Sequence, residues 1–147
     1  MLAKEGPNMK ILVPVDGSAY SLKAVETACD LAKAKGPSSL VLVAVAVEIP
    51  ELAEGRYIYD KMKALAEVAL EKAKEVAKQC GTVSEVLLAT GASPADEIVQ
   101  AAKDQQADLI VIGSRGLAGK TRSFLGSTAS QVVTYSPCSV LVVKTQD

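Results

Sequence analysis

The chain has 147 residues, a formal net charge of −1 and an apolar fraction of 49%, the length and composition of one domain built on a single buried core. So even a charge balance gives no global attraction to DNA or to an anionic membrane, and neither is expected as a partner. There is no histidine, which excludes Ser-His-Asp and Cys-His catalytic units, and no catalytic residue is expected.

Residues 1–8 are polar apart from Met1, Leu2 and Ala3 and have no apolar h-region. They read as a flexible extension before a domain at residues 9–147, with no secretion signal. Lys10 to Val15 is the first strand, and it ends at Asp16-Gly17-Ser18, a turn in which Ser18 can cap the next helix. Leu22, Val25, Cys29 and Ala32 recur at helical spacing until Gly36-Pro37 stops the segment. Cys29, Cys80 and Cys138 form no CxxC pair. Zinc-finger spacing and a disulfide framework are therefore not expected, no metal site is expected, and Cys29 reads as a small core residue in a reduced, cytoplasmic setting.

Leu40 to Val47 is a second strand, apolar on both faces and far too short to span a bilayer. Glu48 to Tyr59, with Pro50 and Gly55, reads as a connection. A long helix is predicted from Asp60, with Met62, Leu65, Ala69, Ala73 and Val76 as its apolar stripe and Gly81 as its stop. Val83 to Ala89 is a third strand. Ser93 as cap, Pro94 at the first helical position and Asp96 mark the next helix, which turns Ile98, Ala101 and Ala102 inward, and Ser93 and Pro94 read as structural. Leu109 to Ile112 is the fourth strand. A loop from Gly113 to Leu125 leads to a helix with Ala129, Val132 and Val133 on its inner side, closed by Pro137, and Val140 to Val143 is the last strand. The core must be aliphatic, because four tyrosines and one phenylalanine are the only aromatic residues. This alternation predicts one doubly wound α/β domain with helices on both faces of a parallel sheet. Ligands of such sheets bind beyond the carboxyl ends of the strands, at the switch point in strand order.

The chemistry is concentrated in Gly113-Ser114-Arg115-Gly116 and, nine residues on, Gly126-Ser127-Thr128. A phosphate group needs close approach to backbone N–H groups, which glycine permits. The first N–H groups of the following helix lack internal partners and lie at its positive end. Hydroxyls of Ser127 and Thr128 add donors, while Arg115, Lys120 and Arg122 add charge in a stretch that has no acidic residue from Leu109 to Gln146. Gly119-Lys120-Thr121 imitates the end of a P-loop. The glycine required five residues before Gly119 is Ser114, no helix follows directly, and Asp108 lies at the wrong end of its strand for a Walker B role, so a P-loop NTPase is rejected. The dinucleotide fingerprint GxGxxG is absent.

The spacing G-x2-G-x9-G-[ST], the opening KILVPVDGS and the segments GASPADEIV, DLIVIGSRG and SPCSVLVV together resemble the universal stress protein family, from about Met9 to Lys144. The resemblance implies a five-stranded parallel sheet in the order 3-2-1-4-5, commonly in a homodimer paired through the last strand. Its ATP-binding branch carries the glycine pattern kept here at Gly113, Gly116, Gly126 and Ser127. By the same resemblance Pro14, Val15 and Asp16 border adenine and ribose, and Val45 contacts the base. Arg115 stands where the family varies, so its role is inferred from charge alone, and Ala129 departs from members with a hydroxyl there. The expected function is adenine-nucleotide binding, principally ATP with magnesium as companion, in a regulatory stress-response protein with at most slow hydrolysis. The alternatives are a protein that binds AMP or cyclic AMP, one that acts through protein contacts without a nucleotide, and a phosphotransferase-type enzyme.

Overall fold

The computed structural model describes residues 9–36, 38–49, 54–80, 84–116 and 125–145. The N-terminal extension, the helix stops at Pro37 and Gly81, the strand start at Val83, and the loop cations Lys120 and Arg122 lie outside them. In chain order the elements are β1 (Met9–Pro14), α1 (Ala19–Lys35), β2 (Ser38–Val47), α2 (Gly55–Gln79), β3 (Ser84–Gly91), α3 (Pro94–Asp104), β4 (Leu109–Gly113), α4 (Ser127–Tyr135) and β5 (Ser139–Val143). All strand pairings are parallel, and the sheet order is β3-β2-β1-β4-β5, as expected.

Why helices cover both faces follows from strand order. The crossovers β1-α1-β2 and β2-α2-β3 move one way across the sheet, so right-handed connections place α1 and α2 on the same face. The chain then returns past β1 to β4 and on to β5, which puts α3 and α4 on the other. Side-chain alternation along the strands separates two cores. Ile11, Val13, Leu40, Leu42 and Ala44 pack with α1 and α2, whereas Leu12, Val41, Val43, Ile110 and Ile112 pack with α3 and α4.

Local chemistry sets several boundaries. Ser18 caps α1 by accepting from the Ser21 N–H at 3.2 Å, and Gly36 ends the helix at φ 93°, a conformation that glycine adopts without strain. Ser93 caps α3 by accepting from the Asp96 N–H at 3.3 Å, with Pro94 at the first helical position. A lysine amide is used to seat β1: the Lys10 N–H donates to Asp108 Oδ2 at 2.8 Å, and the Asp108 N–H returns to the Lys10 carbonyl at 2.8 Å.

Four expectations are corrected. Helix α2 starts at Gly55, not Asp60, because an Arg56–Asp60 ion pair (3.4 Å) and Lys61 over the Tyr57 ring (5.3 Å) support an added turn at i,i+4 spacing. Its buried face is Ala66, Ala69, Leu70, Ala73 and Ala77, while Leu65 is 56% exposed. Val133 is likewise 45% exposed and does not face the core. The fourth correction concerns the cysteines: Cys29 and Cys80 form a disulfide with their Cα atoms 6.1 Å apart, and only Cys138 is a free thiol. The partners are 51 residues apart and meet because α1 and α2 share a sheet face. Among the described residues, no helix is long and apolar enough to cross a membrane.

Candidate functional site

At the carboxyl edge of the sheet the chain leaves β1 after the Val15 N–H donates to the Val43 carbonyl at 2.8 Å. Asp16 then forms a side-chain turn: its Oδ1 accepts from the Ser18 N–H at 2.9 Å, and its own N–H donates to Ser21 Oγ at 3.2 Å. Gly17, at φ 88°, makes that turn possible. Asp16 therefore does not cap α1, and its carboxylate stays at the strand end. A Cβ on Gly116 would lie 2.6 Å from Asp16 Oδ2, so the β4 loop runs directly against this carboxylate.

The two glycine stretches meet. Ser114 prolongs the β4–β5 pairing through its N–H to the Val143 carbonyl (2.8 Å), and its own carbonyl accepts from the Gly126 N–H at 2.7 Å. Gly126 is the N-cap of α4 and makes no side-chain cap bond. The helix begins with Ser130 donating to the Gly126 carbonyl at 2.9 Å, which leaves the N–H groups of Ser127, Thr128 and Ala129 without partners inside the helix. A Cβ on Gly126 would come within 3.4 Å of both the Arg115 Cα and the Ser114 carbonyl oxygen.

A cavity of about 510 Å³ opens here. Pro14, Val15 and Asp16 enter from β1 and its turn, and Val45 from β2. Gly113, Arg115 and Gly116 follow β4, and Gly126, Ser127 and Thr128 open α4. All ten residues singled out in the sequence line this one space. Gly113 has a further reason for being glycine, because a Cβ there would meet the Tyr20 carbonyl oxygen at 2.8 Å. It allows α1 to approach β4, which is packing and not ligand access. Lys144 lies elsewhere, with Tyr20, Ser114, Arg115 and Ser130, around a second opening of about 540 Å³.

Most of the rest of the wall was missed from sequence. Val43, Ala44 and Val47 of β2, Met62, Leu65 and Ala66 of α2, and Pro94 and Ile98 of α3 complete an apolar chamber behind the glycine loops. Met62 and Leu65 had read as core, and Pro94 as purely structural. Their helical spacing shows that they share a helix face but not that this face overhangs the end of the sheet.

Among the described residues Asp16 is the one acidic residue lining the cavity, and no group of three or more His, Cys, Asp or Glu is placed to hold a metal ion. A single carboxylate does not make a metal site, so an ion here would take most of its oxygen ligands from a bound phosphate chain.

Comparison with known proteins bears on the same frame. The family model described as "Universal stress protein family" matches residues 7–144. A universal stress protein of Methanocaldococcus jannaschii is 35% identical, covering 97% of this chain and 87% of the relative. A universal stress protein solved in complex with cAMP is 30% identical with a TM-score of 0.73, over 94% of this chain and 98% of that one. A family member from Arabidopsis thaliana with AMP bound is 25% identical with a TM-score of 0.71, over 94% and 92% of the two chains. The chain belongs to the universal stress protein family.

Proposed function

We propose that this chain is a regulatory protein that binds an adenine nucleotide in the cavity between β1, β2, α2 and the β4–α4 loop. The observation that carries the reading is the meeting of the Ser114–Gly116 stretch with the start of α4, marked by the Gly126 N–H bond to the Ser114 carbonyl. Backbone donors and the positive helix end then converge on one place, where a phosphate group is held. Arg115 adds a cation, and Ser127 and Thr128 add hydroxyl donors.

The base belongs in the apolar chamber. Odd-numbered residues of β2 turn their peptide groups toward β1, as the Val15–Val43 bond fixes, and even-numbered ones toward β3, as Glu48 donates to the Gly91 carbonyl at 3.0 Å. The β1 ladder ends at Pro14–Val43, so Val45 offers an N–H and a C=O side by side beyond it. That donor–acceptor pair complements N1 and N6 of adenine. Asp16, beside them, accepts from ribose hydroxyls.

Among nucleotides, AMP and cyclic AMP have the firmer support, since relatives at 25% and 30% identity carry them. ATP is the second reading and rests on the complete G-x2-G-x9-G-[ST] spacing; a magnesium ion accompanying it would offset phosphate charge, with Asp16 as the carboxylate at hand to help hold it. The chain has no histidine, and among the described residues Asp16 is the one carboxylate lining the cavity, which favours binding over rapid turnover. Denaturing the purified protein and weighing the released small molecules is expected to yield an adenine nucleotide. A preparation that releases none and binds neither AMP nor ATP at millimolar concentration overturns the proposal.

Self-association through β5 accompanies this reading. β5 is a sheet edge, its Leu141 is 38% exposed, and unpaired edge strands invite pairing with a second copy. A homodimer mass is expected in sedimentation at micromolar concentration, and a monomer there sinks the expectation.

A further inference from the structure

The Cys29–Cys80 disulfide is placed so that it governs the wall of the cavity. It ties the third turn of α1 to the C-cap of α2. The chain closed between the two cysteines contains all of β2 and α2. These elements supply Val43, Ala44, Val45, Val47, Met62, Leu65 and Ala66 to the cavity lining, the whole of its apolar wall on that side.

Helix α2 has 25 residues and packs on the sheet through Ala66, Ala69, Leu70, Ala73 and Ala77, with Tyr59 and Val76 against the same core. Small side chains along most of this face let the helix lie close to the sheet, and the disulfide fixes its C-terminal end against α1. The helix sits close, with the Ala69 Cβ 3.7 Å from where a Gly17 Cβ would stand, which means that its position also sets the room left beside the Asp16 turn. The two sulfurs differ in access: Cys29 is 1% exposed, whereas Cys80 at the helix end is only half-buried.

We propose that this disulfide is a redox control on ligand binding: in the oxidised protein it clamps α2 against α1 and the sheet, and on reduction α2 loosens and the cavity loses affinity. The redox partner is a dithiol. Its thiolate attacks Cys80 Sγ, forming a mixed disulfide and releasing the Cys29 sulfur, which takes up a proton because a thiolate is poorly tolerated among apolar neighbours. The second thiol of the reductant then attacks the mixed disulfide and frees Cys80. The protein gains two electrons and two protons, and the dithiol becomes a disulfide. Oxidation runs the same exchange backwards with a disulfide-bearing partner.

The effect on affinity rests on the nucleotide reading, but the mechanical coupling does not, and the experiment separates them. Full-length protein is measured with the disulfide intact, after reduction by dithiothreitol, and after reoxidation, with mass after alkylation reporting the thiol count. Amide hydrogen exchange in the Met62–Ala66 segment, 14 to 18 residues before Cys80, is expected to speed up on reduction and recover on reoxidation. AMP affinity measured by calorimetry is expected to fall about tenfold, an ordinary size for coupling between two sites. The Cys29→Ala/Cys80→Ala double variant is expected to match the reduced protein with or without reductant, and Cys138→Ser is expected to respond as wild type does. Unchanged exchange in that segment after confirmed reduction overturns the proposal, and because it is read on wild type it does not depend on the variant folding. Faster exchange in a protein that binds no nucleotide in either state supports the clamp while removing the function proposed above. Faster exchange with equal AMP affinity in both states rejects the control of binding.

Discussion

Replacing Gly126 with valine is expected to weaken AMP or ATP binding by about a hundredfold or more while the protein stays folded. Gly126 is extended at φ −61° and ψ 161°, a conformation open to valine, so the backbone does not resist the change. Its Cβ would stand 3.4 Å from the Arg115 Cα and the Ser114 carbonyl oxygen, which demands a shift of a few tenths of an ångström. The two methyl groups beyond it would occupy the junction of the two backbone stretches, where the phosphate is proposed to sit. A hundredfold loss is about 2.8 kcal/mol, the scale of losing a few charge-assisted hydrogen bonds. Gly113→Ala is the contrasting control. Its Cβ would meet the Tyr20 carbonyl oxygen at 2.8 Å, so the cost appears as about 1–3 kcal/mol of stability, as in other overpacked sites. Calorimetric titration and thermal melting of the two variants check both statements. Wild-type affinity in the valine variant takes the glycine loops out of the binding site.

The second large effect is on stability. Breaking the Cys29–Cys80 bond by Cys80→Ser is expected to cost about 4 kcal/mol on the loop-closure model for cysteines roughly 50 residues apart. The unfolded chain regains the freedom that the bond had removed, and this is the larger part of the cost. For a domain of this length that loss lowers the melting temperature by about 10 °C. Denaturant titration of wild type under oxidising conditions, of reduced wild type and of the variant measures it, with the last two expected to agree. A difference below about 1 kcal/mol between oxidised and reduced wild type removes the bond from any account of stability.

Much of the frame was legible in the sequence. Ser18, Ser93 and Pro94 announce helix starts because a side-chain acceptor or a missing N–H satisfies a need created within one turn. The strands read clearly because both their faces are buried, so apolar runs such as Leu40 to Val47 are uninterrupted. What misled were features whose meaning depends on distant chain. Pro50 and Gly55 made the first turn of α2 look like loop, since that turn is held in part by Tyr59, which packs on the core and lies beside Thr90 of β3, a contact with distant chain. Leu65 and Val133 looked like core because periodicity reports a shared face and not what covers it. Cys29 and Cys80 looked unrelated because sequence distance carries no information about which helices share a side of the sheet.

The amino-acid order by itself determined the kind and succession of elements, the aliphatic core and the glycine, hydroxyl and charge pattern at 113–116 and 126–128, for each rests on chemistry acting within a few residues, whereas Pro14, Val15 and Val45 were singled out by resemblance to the family. Only the tertiary structure decided that the ten residues singled out line one cavity, that α2 and α3 complete its wall, that Gly113 serves α1 packing, and that two cysteines close a clamp. These outcomes depend on the order of strands and on right-handed crossovers, which bring together segments separated by tens of residues, and no local preference encodes such meetings.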